Sequence, residues 1–153
     1  MKIYEIMPTA DADGRRPLPE MAFPRKDIVD TIRNYMPRIA EHAVKIILFP
    51  QSKDVSHWKG EITGWAKFLS KLRLKSNNKP MGYALAYKYL YDGPFGGNEI
   101  GMTQHFIEMA ELSHNVALTV DTADVHATLK EFLTHLAVAI GDGKDVRPVI
   151  NSL

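Results

Sequence analysis

The 153-residue chain contains no cysteine, so it can hold no disulfide framework, no thiolate metal site and no cysteine nucleophile. It also lacks long apolar runs. Stretches such as 46–50 stop far short of the roughly 20 residues a membrane span requires, and the first residues carry no basic-then-apolar leader. A soluble, cytoplasmic protein is expected, with no membrane partner. There is almost no net charge either, at +1, which argues against a dedicated nucleic-acid binder. No internal repeat and no low-complexity tract is present. With 45% hydrophobic residues, the length suits one domain with a sizeable core.

The near-neutral total hides a segregation. Residues 51–80 hold seven basic side chains against two acidic ones, while residues 81–153 hold four against nine. A folded domain can turn such fields toward two partners, or toward each other in an oligomer.

The apolar spacing predicts an all-α fold, an irregular bundle of about five helices. Pro8, Pro17, Pro19, Pro24 and Gly14 make residues 1–24 an extended N-terminal arm. The bundle spans residues 25–141 and residues 142–153 form a C-terminal tail. The first helix, residues 25–49, aligns Ile28, Ile32, Tyr35, Ile39, Ala43 and Ile46, with a kink or break expected from Pro37. The second, about 56–74, aligns Trp58, Ile62, Trp65, Leu69 and Leu72, with Asp54 or Ser56 as its cap. Gly60 and Gly64 weaken it by about 1 kcal/mol each relative to alanine, so close approach of another backbone is expected there.

The tyrosine-dense residues 81–91 read as helix rather than strand, and DGPFGG breaks it. The next helix, from Asn98 to about Asn115, is expected to line its inner side with Met102, Phe106, Met109, Ala110 and Ser113 or Leu112. The last starts at a cap on Asp121 or Thr122, buries Val125, Leu129, Phe132 and Leu136, and ends at Gly141 as a left-handed stop.

No complete catalytic constellation emerges. Glu111 and His114 form a Glu-x-x-His pair, as in di-iron bundles, but the required second copy is missing, and Glu131 with His135 has a different spacing. His126 and His135, like His105 and His114, lie two and a half turns apart and so on opposite sides of a helix. No Gly-x-Ser-x-Gly elbow exists, and the glycines before the Asn98 helix match neither the Walker nor the dinucleotide pattern. Arg38 and His42 only approximate the helical ribonuclease arrangement.

The strongest candidate surface is the basic helix. Lys59, Lys67, Lys71, Arg73 and Lys75 offer charge, and Trp58, Trp65 and Phe68 offer stacking area. Against this, the tryptophans sit a heptad apart among aliphatic residues, the pattern of core anchors.

Through His42, Lys45, Pro50, Ser56, Trp58 and Ile62, residues 42–72 resemble a stretch of a bacterial and cyanobacterial family of small helical-bundle proteins of unknown function, departing from it by one residue between Pro50 and Trp58. The resemblance implies an all-helical fold and no activity. The expectation is a non-enzymatic helical interaction or regulatory protein of bacterial or phage origin, without cofactor, docking on another protein or on its own copy. The alternatives are nucleic-acid binding through residues 53–79 and, weaker, a metal-dependent enzyme using Glu111 and His114.

Overall fold

A computed structural model describes residues 22–92 and 97–153. Most of the expected arm, residues 1–21, and residues 93–96 of the glycine-rich breaker lie outside it. The described residues form six helices and one two-strand ribbon. The order is β1 (Ala22–Phe23), α1 (Arg25–Leu48), α2 (Val55–Lys71), β2 (Arg73–Leu74), α3 (Tyr83–Tyr87), α4 (Glu99–His114), α5 (Thr122–Gly141) and α6 (Arg147–Asn151). The all-α bundle expected from the spacing is the fold.

α5 is the hub, packing against α1, α2, α3, α4 and α6. Its stripe of Leu129, Leu133, Leu136, Ala137 and Ile140 is buried, and Asp121 accepts a hydrogen bond from the Ala123 amide at 2.9 Å, capping its first turn as expected. α1 crosses it with Ile28, Ile32, Met36, Ile39 and Ala43 fully buried. Pro37 neither breaks α1 nor ends a segment of it: the helix runs on to Leu48. The missing Pro37 donor falls to the Arg33 carbonyl, and Arg33 lies at the exposed surface, where water can satisfy it.

α2 buries Trp58, Ile62, Ala66 and Leu69, so Trp58 is a core anchor, and Trp65 and Phe68 pack partly buried against the same core. Its cap differs from expectation. Asp54 makes no side-chain cap bond; its own amide instead donates to Ser52 Oγ at 3.1 Å. At the other end Arg73 folds back and donates to the Ser70 and Leu72 carbonyls, groups the helix leaves free. Beyond it, β2 pairs in parallel with β1, Ala22 opposite Arg73 and Phe23 opposite Leu74.

The close backbone approach expected at Gly60 and Gly64 is not there: an added Cβ at either would meet nothing within 4 Å. It occurs at Gly141. A Cβ there would lie 2.5 Å from the Tyr83 amide nitrogen and 2.6 Å from the Gly82 carbonyl carbon. The contact is sealed by a 2.9 Å hydrogen bond from the Gly82 amide to the Gly141 carbonyl, which locks α3 onto α5. Gly141 is therefore not the left-handed stop. Gly143 is, with φ 68° and the Schellman pair Gly143 N–H to Ile140 O and Lys144 N–H to Ala139 O.

The tyrosine-rich segment is helical, as expected. α3 widens into a π-turn over Lys88–Asp92, stacking Tyr83, Tyr87 and Tyr91 at 5.4 Å steps. Residues 142–153 are not a bare tail, because α6 folds back and buries Ile150.

Candidate protein-docking face

α4 departs most from the sequence expectation. It buries Thr103, Phe106, Ile107 and Ala110 against α1 and α5, and leaves Met109 outside with Leu112. Thr103 is an unexpected core residue, 1% exposed, and a hydrogen-bonded chain explains it. Its hydroxyl donates to the Glu99 carbonyl and sits 2.9 Å from His126 Nδ1, while His126 Nε2 lies 3.1 Å from the Tyr91 hydroxyl. A His126 proton on Nδ1 satisfies every member. Burial pushes His126 below its ordinary value, Glu99 opposing and Lys130 reinforcing that shift.

On the opposite side of α4, Leu112 is 82% exposed and Met109 41%, and Val116 continues the stripe at 43%. The segment that carries Val116 is held in place. α4 ends in a Schellman motif about left-handed Asn115 (φ 52°), with Val116 N–H donating to Glu111 O. Glu111 Oε2 then accepts the Leu118 amide at 2.8 Å. Together Glu111, Leu112, Asn115, Val116 and Ala117 line an open concavity.

The chain segment that carries this stripe has lysine and arginine only beyond its ends. Residues 89–129 contain Asp92, Glu99, Glu108, Glu111, Asp121 and Asp124 and no lysine or arginine.

The residues singled out from the sequence scatter. Glu111 serves the loop, whereas His114 turns away, Nδ1 3.1 Å from the Ala110 carbonyl and its ring stacked 4.3 Å from Phe49 and edge-on to Trp58. The pair shares no ligand position, and no group of three or more potential metal ligands occurs among the described residues. The basic set divides. Lys67, Lys71 and Lys75 are exposed, but Arg73 is spent on carbonyls and Lys59 donates to the Asn151 carbonyl at 3.3 Å.

Arg38 lies over the Tyr35 ring, while His42 Nε2 meets Glu61 at 3.4 Å beside Trp65. His42 Nδ1 is buried without a partner. Burial, reinforced by Lys45 and opposed by Glu61 and Glu41, holds this imidazole below its ordinary value. No helix among the described residues is long and apolar enough to cross a membrane.

Sequence reasoning missed Met109, Leu112 and Val116 as surface residues. The available signal was the surplus of apolar residues on α4, too many for one face, inside a cation-free stretch.

Compared with known proteins, the chain matches no family model, no curated protein and no solved structure.

Proposed function

We propose that this is a non-enzymatic helical interaction protein that docks a partner on the outer face of α4, and that the partner presents an apolar helix flanked by lysine or arginine. The observation that carries the reading is the exposed stripe Met109, Leu112 and Val116 on a chain segment that holds carboxylates and no lysine or arginine. An exposed leucine alone is ordinary, but a contiguous apolar stripe on an ordered scaffold is the signature of an interaction surface.

Charge selects the occupant. The same face of a second copy would bring Glu108 and Glu111, the acids beside the stripe in sequence, against their own kind, whereas a basic amphipathic helix gains both apolar burial and attraction. Three side chains, at roughly 1.5–3 kcal/mol each when fully buried, supply about 4.5–9 kcal/mol against the roughly 4–15 kcal/mol that association costs, so apolar burial alone does not hold the complex. Attraction between the carboxylates and the basic flanks supplies the remainder, which makes the complex weak and salt-sensitive.

Nucleic-acid binding has thinner support. Trp58 is buried, Trp65 and Phe68 pack on the core, and Arg73 donates to backbone carbonyls, which leaves the exposed Lys53, Lys67, Lys71, Lys75 and Lys79 without a free aromatic platform.

The test is a fluorescence-anisotropy titration with a labelled helical peptide carrying a leucine stripe and lysine flanks, beside its glutamate-flanked counterpart. The lysine peptide binds, the glutamate peptide does not, and Leu112→Asp weakens the first by at least about tenfold. Equal binding of both peptides, or indifference to Leu112→Asp, overturns the reading, and sedimentation showing a dimer through this face would replace the basic partner with a second copy.

A further inference from the structure

A second surface, sharing no residue with α4, has the build of a small-molecule site. The ends of α1 and α6, the start of α2 and the middle of α5 enclose a cavity of about 380 Å³, within the roughly 300–1,000 Å³ range of ligand pockets. Ile46 and Phe132 form its buried floor, and Ile47, Val55, Val149 and Leu153 its half-buried walls. Polar groups at the rim are few. The Thr128 and Ser152 hydroxyls are already committed to the Asp124 and Val149 carbonyls.

Three groups remain for a ligand. Lys59 has three donors, of which one reaches the Asn151 carbonyl, and it makes no salt bridge among the described residues. Glu131 and His135, one turn apart on α5, are exposed at the same rim and have no hydrogen-bond partner among the described residues.

We infer that this cavity binds a small zwitterion with an apolar body: a carboxylate held by Lys59, an ammonium held by Glu131, and an aliphatic or aromatic group on the Ile46 and Phe132 floor. Charge forces the zwitterion. A head carrying only a carboxylate would face Glu131, and one carrying only an ammonium would face Lys59, whereas a head with both signs satisfies each side. A free apolar amino acid and a short apolar peptide share this chemistry.

Isothermal titration calorimetry on the full chain separates the cases, with L-phenylalanine, the dipeptide Leu-Leu, octanoate and octylamine as probes. At least one zwitterion binds about tenfold or more tighter than either singly charged amphiphile, and the tighter of the two identifies the source. Lys59→Met and Glu131→Gln each weaken that zwitterion by about tenfold, and Lys59→Met retains or improves octylamine binding, which mere loosening of α6 would not do. Failure of all four probes to bind, single-charge amphiphiles binding as tightly as the zwitterions, or zwitterion binding unchanged in both variants would overturn the assignment. Because neither variant touches α4, none of these outcomes bears on the docking reading.

Discussion

Replacing Gly141 by alanine should destabilise the protein, although the position is helical and alanine ordinarily improves a helix by about 1 kcal/mol over glycine. The new methyl would stand 2.5–2.7 Å from the Tyr83 nitrogen and the Gly82 carbonyl, backbone atoms that cannot rotate away. Either α3 moves off α5 or the strain stays. Overpacking of this kind costs roughly 1–3 kcal/mol. Displacing α3 also weakens the 2.9 Å bond from Gly82 to Gly141, at about 0.5–1.5 kcal/mol.

Set against the helix-propensity gain, the net loss is about 1–3 kcal/mol. At roughly 2–4 °C per kcal/mol for a chain of this size, Tm drops by several degrees. Gly60→Ala and Gly64→Ala are the matched controls. Both are helical, neither has a positive φ and nothing lies within 4 Å of either, so each should stabilise by up to about 1 kcal/mol. Urea unfolding followed by circular dichroism measures all three. A Gly141→Ala variant as stable as the parent, or a destabilised Gly64→Ala variant, would refute the placement of the close contact.

Three further outcomes are expected. Trp58→Ala, which empties a 6%-exposed core position, should lose about 3–5 kcal/mol, read by denaturant midpoint. Asp121→Ala should lose about 1 kcal/mol with the cap bond, and Asp54→Ala much less because its side chain caps nothing. On acidification, His42 and His126 stay neutral in the fold below the 6.5 at which they protonate when unfolded, so the unfolded chain binds more protons. Stability is then flat above about pH 6.5 and falls below it; His42→Leu should flatten that acid limb in pH-dependent urea melts, and an unchanged limb in that variant would contradict the assignment.

The parts of the fold that could be read from the sequence are those where one apolar stripe dominates. Ile28, Ile32 and Ile39 in α1, Trp58, Ile62 and Leu69 in α2, and Leu129, Phe132 and Leu136 in α5 all stand at three- and four-residue spacings and all are buried. α4 resisted because Met109 and Leu112 outside match Phe106 and Ile107 inside in hydrophobicity, and because the residue that marks the inner face, Thr103, is polar and depends on His126 from another helix. Glycine identity says that a backbone is free to approach, not which glycine is approached; Gly60, Gly64 and Gly141 look alike until α3 is placed.

The cavity rim has the same origin. Glu131 and His135 are recognisable as a pair one turn apart, but Lys59 joins them only through the packing of α2 beside α6. The lysine run remained prominent in sequence because neither the Asn151 carbonyl that takes one Lys59 donor nor the carbonyls that Arg73 reaches can be read from side-chain type.

The most direct measurement sets the two candidate faces against each other in one titration of the lysine-flanked peptide. Leu112→Asp alters the apolar stripe of α4, and the triple change Lys67→Glu, Lys71→Glu and Lys75→Glu reverses the exposed lysines of α2 and its C-terminal connection. Docking on α4 predicts that the first variant loses at least about tenfold in affinity while the second binds as tightly as the parent or tighter. Loss confined to the triple variant would contradict it.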